Sequence, residues 1–202
     1  MNTPPSADIP AAEYRLFVRK GRPRMYLYNT DEGVYLSPKG IGWFINGTSH
    51  TRDWNEIVDV NPIVAHVPRD GPSGTCKITF TDGFILQVLS ASKWGHSDEA
   101  RNVEYGRFLN DFHRVIPDSE RGRIKFATGF GKMQYTVATI VFVIACVFFV
   151  VLPVGLAIYF RQLEALLLAA AGGAFIYPLY RSTEANYPDN YHPDQIPPEL
   201  FP

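Results

Sequence analysis

The sequence is dominated by residues 135–180, which read YTVATIVFVIACVFFVVLPVGLAIYF, then RQ, then LEALLLAAAGGAFIYPLY. The first apolar run contains no charged residue, and the second contains only Glu164, close to its start. About 20 apolar residues in a helix cross the hydrocarbon core of a bilayer, which is roughly 30 Å thick. In lipid the backbone polar groups must be satisfied within the segment, so such runs become helices. The stretch therefore predicts two transmembrane helices, over residues 134–160 and 163–180.

Two places for the turn of this helical hairpin stay open. Arg161 lies between the two runs, but Pro153-Val154-Gly155 also carries turn chemistry. A turn at residues 153–155 would place Arg161 and Glu164 inside the second helix, where burying charge in lipid costs a few kcal/mol. That cost favours a turn at residues 161–164.

The distribution of basic residues predicts the orientation. Arg121, Arg123, Lys125 and Lys132 precede the first apolar run, whereas only Arg161 lies between the runs. Because positive flanks stay on the cytoplasmic side, we expect a multi-pass protein with both termini in the cytoplasm. The opening residues have no basic segment followed by an apolar one, so we expect no cleavable signal peptide.

Composition limits the possible partners. The formal net charge is −1, divided between a slightly basic stretch over residues 1–133 and an acidic one over residues 181–202. A balance this close to neutral does not predict nucleic-acid binding. The two cysteines, Cys76 and Cys146, fall in a predicted strand and a predicted span, so no internal disulfide is expected, which fits a reducing compartment.

The region before the apolar runs predicts an antiparallel sheet. Residues 1–12 are proline-rich and are expected to be disordered. Residues 13–117 then alternate short apolar segments with turns, giving about seven strands. Asn46-Gly47 and Asp82-Gly83 predict tight hairpins, Asn61-Pro62 is expected to separate two strands, and residues 69–74 are expected to form a loop.

One amphipathic helix is predicted after the strands. Ser97 is the expected N-cap, and Pro117 is expected to end the helix. Its apolar residues lie three, four and seven positions apart on one face: Tyr105, Phe108, Leu109, Phe112 and Ile116. A face this aromatic must be covered, so the fold class is α+β, a barrel or sandwich of strands closed by a helix.

The order of these features resembles a known family. The segments Gly33-Val34-Tyr35-Leu36, Trp54-Asn55-Glu56-Ile57-Val58-Asp59-Val60 and Thr81-Asp82-Gly83-Phe84 are similar to bacterial membrane proteins that carry a pleckstrin-homology-like (PH-like) domain. The resemblance covers residues 13–117 and implies an antiparallel barrel capped by a C-terminal helix, in a bacterial inner (cytoplasmic) membrane. It implies no single activity, because fold alone does not fix function.

No constellation of residues predicts catalysis. His96-Ser97-Asp98 holds the residue types of a hydrolase triad, but neighbours on one chain cannot converge as that chemistry requires. The five histidines show no metal-ligand spacing and are expected to be surface or partly buried residues. We therefore expect neither an enzyme nor a cofactor or metal site.

Three groups of residues are candidates for binding. Basic residues in a turn and before the first span are candidates for lipid headgroups: Arg22, Arg24, Arg121, Arg123, Lys125 and Lys132. Small residues in the second span are candidates for close helix packing: Ala169, Gly172 and Gly173. Spaced aromatic residues in the proline-rich tail over residues 181–202 are candidates for docking on a partner: Tyr187, Tyr191 and Phe201.

These expectations define a non-enzymatic integral membrane protein. It would serve a larger membrane complex as an accessory, assembly or scaffolding subunit, with residues 118–133 as a basic linker between domain and hairpin. The alternative is a module that binds anionic lipid. The expected partners are membrane lipid and other membrane proteins, and not nucleic acid.

Overall fold

The computed structural model describes residues 12–21, 31–67, 70–161, 167, 170–174, 176–177, 180, 184 and 187–202. The chain divides into two compact units, one formed by Met1–Thr128 together with Asn190–Pro202 and the other by Gly129–Asp189. We call them the sheet unit and the helical unit. Apart from Ala12, the expected disordered segment over residues 1–12 lies outside the described residues, as do Arg22, Arg24 and Ala169.

The sheet unit is an α+β structure, which confirms the predicted class at that level. It is built on one open, mostly antiparallel sheet of nine strands, so the closed barrel or sandwich of the prediction is not confirmed. The strand order is β4-β3-β2-β1-β7-β6-β5-β8-β9. The strands are β1 (Ala12–Lys20), β2 (Asp31–Leu36), β3 (Gly40–Ile45), β4 (Thr48–Asp53), β5 (Ile57–Val67), β6 (Gly71–Phe80), β7 (Ile85–Leu89), β8 (Lys125–Thr128) and β9 (Asp189–Asn190).

The predicted tight turn between β3 and β4 is confirmed. Asn46 and Gly47 both have positive φ, 53° and 72°, as the two central residues of a type I′ turn require. Strand β3 pairs antiparallel with β4 on either side of this turn, from Ile45 opposite Thr48 to Gly40 opposite Asp53.

The structure differs from the sequence prediction along β5 and β6. Strand β5 runs without a break through Asn61-Pro62, and Pro62 lies opposite Cys76 of β6. Proline has no N–H, and at Pro62 that position lies on the β8 side of the strand. Strand β8 pairs only with Asp59 and Val60 of β5, so Pro62 removes no hydrogen bond of the ladder. The loop expected over residues 69–74 is also wrong in part, because Gly71 already begins β6.

Helix α1 (Glu99–Val115) closes the core of the sheet unit. The predicted apolar face is confirmed as buried: Tyr105, Phe108, Leu109, Phe112 and Ile116 are each at most 1% exposed. The predicted N-cap is wrong by one residue, because the Asp98 side chain accepts the hydrogen bond from the Arg101 N–H. Ser97 instead donates its hydroxyl to the Pro72 carbonyl at 2.5 Å.

Residues 118–128 belong to the folded sheet unit, in contrast to the expected linker over residues 118–133. They form a short helix, α2 (Asp118–Arg121), and strand β8, which pairs parallel with β5. Burial of Ile124, Phe126 and Ala127 accounts for the difference. Moving these apolar side chains from water into the core lowers the free energy of the folded state, which a solvated linker would not do.

The helical unit contains a long apolar helix. It consists of α3 (Lys132–Cys146), a π-helical segment (Val147–Val151) and α4 (Leu152–Phe160). The stretch Tyr135–Phe160 is long and apolar enough to cross a membrane, and among the described residues it is the one such helix. Pro153 explains this π-helical segment, because it has no N–H to donate to the Phe149 carbonyl four residues earlier.

The helix continues through residues 153–155 and ends at Arg161, which has a left-handed conformation with φ of 53°. The alternative turn at Pro153-Val154-Gly155 is therefore not formed. Of the second helix expected over residues 163–180, the structure describes only part, and residues 167, 170–174, 176–177 and 180 are helical.

Candidate functional site

The C-terminal segment, Asn190–Pro202, packs on α1 and β8 within the sheet unit. The Tyr191 N–H donates to the Phe126 carbonyl at 3.2 Å. Leu200 is only 4% exposed and belongs to the core cluster, while Phe201 lies over Gly106 of α1. A proline-rich stretch thus completes the hydrophobic core of a domain that begins almost two hundred residues earlier.

A buried histidine on α1 holds this segment through a hydrogen bond. His113 is 2% exposed, and its Nδ1 lies 2.7 Å from the Leu109 carbonyl oxygen. A carbonyl only accepts, so Nδ1 carries the proton and Nε2 is the acceptor in the neutral ring. The Tyr191 hydroxyl, 2.7 Å from Nε2, is therefore the donor.

Burial keeps both partners of this pair uncharged at neutral pH. It lowers the pKa of His113 to about 4, an effect that the Leu109 carbonyl partly opposes and Arg121 reinforces. Burial also raises the pKa of Tyr191. Aromatic contacts surround the pair, with ring centroids 5.4 Å apart for His113 and Phe126 and 5.8 Å apart for Phe126 and Tyr191. This arrangement stabilises a docked segment and does not supply a base poised for proton transfer.

Arg121 connects the end of α1 to the C-terminal segment. Its guanidinium donates to the carbonyls of His113, Arg114 and Ile116 at 3.1–3.3 Å. These are carbonyls in the last turn and C-cap of α1, which lack donors within the helix. The same side chain binds the Asp194 carboxylate at 2.6 Å. One arginine therefore caps the helix and fixes the segment that follows Tyr191.

Two surface cavities flank the Arg121–Asp194 ion pair, with volumes of about 470 and 530 Å³. Both are walled partly by the C-terminal segment and partly by α1, α2 or β8. The arginines that line them are already bonded within the chain, Arg114 to Asp111 and Arg121 to Asp194. No cluster of metal-ligating side chains occurs among the residues that the structure describes.

Of the residues expected to meet lipid headgroups, the structure describes the side chains of Arg121, Arg123 and Lys125. Arg121 has the partners given above, and Arg123 is bonded to the Glu120 carboxylate at 2.6 Å and to the Trp54 carbonyl at 3.2 Å. Lys125 is exposed at the start of β8. Headgroup binding by either arginine would have to replace bonds within the chain. The side chain of Lys132 lies outside the described residues, and headgroup binding stays a prediction.

The three tail residues expected to dock on a partner are in two different settings. Tyr191 and Phe201 pack against the core cluster of the sheet unit. Tyr187 lies in the helical unit, is 61% exposed and contacts the Tyr135 ring edge-on at a centroid distance of 5.3 Å. Docking on another protein stays a prediction, and Tyr187 is the most exposed of the three.

Gly172 marks a close contact between two helical segments of the helical unit. A Cβ placed on Gly172 would overlap the Phe149 carbonyl, whereas one placed on Gly173 would meet no atom within 4 Å. The Phe149 carbonyl is the group that loses its α-helical donor at Pro153. Approach of a glycine Cα to such a carbonyl is the kind of weak contact found between closely packed helices.

We expect Gly172→Leu to separate these helical segments, because its side chain cannot fit against the Phe149 main chain. Gly173→Leu is the matched control, since that side chain points into open space. An engineered disulfide or crosslink between the segments, measured in purified full-length protein, should form in the Gly173 variant and be lost in the Gly172 variant. Equal crosslinking of the two variants would contradict this packing.

Acid should loosen the sheet unit through His113. The unfolded histidine has a pKa near 6.5 and the folded one about 4, so the unfolded state binds more protons between these values. The contribution of neutral His113 to the free energy of unfolding is therefore fully present above about pH 6.5 and is lost as the pH falls towards 4. The loss is about 2 kcal/mol between pH 7 and pH 5. Thermal unfolding at a series of pH values measures this loss. His113→Gln should flatten the slope, and His50→Gln, at an exposed position, should not.

Sequence reasoning missed the role of His113. The available signal was its position four residues after Leu109, beside the apolar face of α1. A histidine at that position is as compatible with a surface site as with a buried one, and its partner Tyr191 is 78 residues away.

These observations define the class of the protein: an α+β sheet unit completed by its own C-terminal segment, with an apolar helix inserted between the two parts of the chain. No protein-family model matches the chain, and no curated protein matches it significantly.

Proposed function

We propose that this chain is a non-enzymatic accessory or scaffolding subunit of a larger complex in a bacterial inner membrane. In this proposal a helical hairpin holds the protein in the membrane, and the sheet unit offers a rigid contact surface on the cytoplasmic side. The observation that carries the proposal is the docking of Asn190–Pro202 in the sheet unit. The polar groups of His113, Tyr191 and Arg121 are bonded to one another's segments within the fold and hold this docked segment in place.

The docked segment also supports the hairpin. The chain leaves the sheet unit after β8, which ends at Thr128, and returns to it at Asn190. The two points are close in the fold, because the Tyr191 N–H bonds to Phe126 of β8. If Tyr135–Phe160 crosses the membrane once, the chain must cross again before Asn190 for both points to lie on one side. The apolar run over residues 163–180 is the candidate for this second crossing, because it lies between Phe160 and Asn190 and its described residues are helical.

Cysteine labelling tests this topology. In a Cys146→Ala background, where Cys76 is buried, Gln162→Cys should react with a membrane-impermeant maleimide added to intact cells. Asn2→Cys and Pro202→Cys should react only after permeabilisation, because both termini are expected in the cytoplasm. Labelling of either terminal position in intact cells would contradict the hairpin.

We propose that the sheet unit is PH-like. Two features support this. The seven consecutive strands β1–β7 follow the order β4-β3-β2-β1-β7-β6-β5, and the amphipathic helix α1 comes directly after them and covers the core. Strands β8 and β9 are additions at the β5 edge. Superposition of the sheet unit on PH-like domains tests this assignment, and a different strand order in the superposed sheets would contradict it.

The opposite edge of the sheet is the surface that we expect a partner to use. Strand β4 is exposed along most of its length, and within the described residues no strand pairs with its outer side. An exposed edge presents unpaired N–H and C=O groups to which a partner's extended chain can add.

Photocrosslinking from this edge tests the proposal. A photoreactive residue replacing Thr51, which is exposed on β4, should join the full-length protein to one defined membrane protein in cells. The same residue replacing Asn55, exposed beside the edge strand, is the control and should give little adduct. A full-length protein that extracts alone in mild detergent and forms no adduct from Thr51 would contradict the scaffolding role.

A further inference from the structure

The helical unit contains a cavity of about 350 Å³ whose walls are largely aromatic. Four aromatic residues, one threonine and one glutamate line it: Tyr135, Thr139, Phe142, Tyr180, Glu184 and Tyr187. All six belong to the same compact unit. We call this space the aromatic cavity.

The walls are held in place by contacts among themselves. Tyr135 and Tyr187 meet edge-to-face, with an interplanar angle of 81°, and Phe142 packs against Tyr180 at a centroid distance of 6.1 Å. The Tyr180 hydroxyl donates to Glu184 Oε1 at 3.2 Å. This bond places the carboxylate beside the rings, with further acceptor capacity on its oxygens.

This combination of groups is suited to a cation. Aromatic faces carry negative electrostatic potential and attract ammonium groups, most strongly where water is displaced. The Glu184 carboxylate adds a full negative charge, which disfavours anions. One carboxylate offers too few oxygen ligands for a hard metal ion, which takes six or more. An organic ammonium group fits the aromatic cavity better than either.

The position of the cavity indicates where such a group would come from. Tyr135 begins the apolar helix that is long enough to cross a membrane. Tyr180 is the last residue of the second apolar run, and Glu184 and Tyr187 follow it in the sequence. Tyrosines at the ends of apolar helices lie at the level of the lipid headgroups. At that depth the ammonium groups at high concentration are those of zwitterionic phospholipids.

We propose that the aromatic cavity binds the ammonium headgroup of a phospholipid, with Glu184 as the counter-charge and the tyrosine rings as walls. The acyl chains of that lipid would lie along the exposed apolar surface of α3. This site is separate from the basic residues expected to meet anionic lipid, and it does not depend on the scaffolding role.

Native mass spectrometry of the full-length protein in detergent tests the proposal. Phosphatidylethanolamine and phosphatidylcholine should be retained about tenfold more tightly than phosphatidylglycerol with the same acyl chains. Glu184→Gln keeps the shape and removes the charge, and it should abolish this preference. Tyr187→Leu should weaken retention about tenfold, whereas Tyr159→Leu, on an exposed tyrosine elsewhere on the apolar helix, should leave it unchanged.

Three results would overturn the proposal. The first is equal retention of the three lipids by the unmodified protein. The second is an unchanged preference in Glu184→Gln when that variant elutes from size-exclusion chromatography like the parent. The third is binding of free choline or phosphoethanolamine as tightly as the diacyl lipid, which would make a soluble amine the occupant.

Discussion

Phe112→Asp should unfold the sheet unit, and Phe108→Asp should do the same. Both side chains are fully buried on α1. Phe108 meets the Tyr14 ring edge-on at a centroid distance of 5.5 Å, and Phe112 meets Trp54 in the same way at 5.6 Å. Each substitution removes a large apolar side chain, at a cost of about 3–5 kcal/mol, and adds a buried charge with no partner. The sum is comparable with the whole stability of an ordinary domain.

Tryptophan fluorescence of the full-length protein in detergent measures this effect. All three tryptophans lie in the sheet unit, and Trp43 and Trp54 are buried, so the signal reports that unit and not the helices. Val103→Asp is the matched control, because Val103 lies on the same helix and is 60% exposed. Native fluorescence and unchanged melting of Phe112→Asp would mean that α1 does not cover the core.

Removing residues 190–202 should destabilise the sheet unit by about 5 kcal/mol. The deleted stretch contains little regular structure, only the second residue of β9 and the 3₁₀ turn Pro198–Leu200. Full burial of a leucine or phenylalanine contributes about 1.5–3 kcal/mol, and the deletion exposes the surfaces under Leu200 and Phe201. It also leaves buried His113 without the Tyr191 hydroxyl, at a cost of about 1–3 kcal/mol.

A point substitution distinguishes the loss of the docking contact from the removal of the segment itself. Leu200→Asp should reproduce most of the effect of the deletion, whereas Glu199→Gln, at the exposed neighbouring position, should melt like the parent protein. Amide hydrogen exchange in β8 should rise in the deletion, because Phe126 loses the Tyr191 N–H and its ring contact. Unchanged exchange in β8 would show that the C-terminal segment contributes nothing to the fold.

The C-terminal segment also changes the boundaries of the sheet unit. Residues 13–117 are a natural choice of fragment from the sequence, since strands and an amphipathic helix end at Pro117. The folded unit extends to Thr128 and also takes in Asn190–Pro202. A fragment that ends at Pro117 would lack Arg121, which caps α1, and Leu200, which is part of the core.

Local chemistry in the sequence determined several elements. Asn46-Gly47 predicts the β3–β4 turn because few residues tolerate positive φ at two consecutive positions. The spacing of Tyr105, Phe108 and Phe112 predicts the buried face of α1 because a helix repeats every 3.6 residues. The uncharged run over Tyr135–Phe160 predicts a long apolar helix from length and composition alone. Each of these signals lies within a few turns of chain.

Only the tertiary structure decided how distant parts of the chain meet. The sequence of β8 is typical of a basic linker, and it forms a strand because β5 supplies its hydrogen-bond partners. His113 becomes a buried, neutral acceptor because Tyr191, 78 residues later, covers it, and Arg121 becomes a helix cap because Asp194 and the carbonyls of α1 converge on it. Residues 190–202 contain too many prolines to predict a regular element, and they gain order from the apolar surface of α1. Periodicity and turn chemistry act over neighbouring residues, whereas these contacts depend on the free energy of burying surfaces that the complete fold brings together.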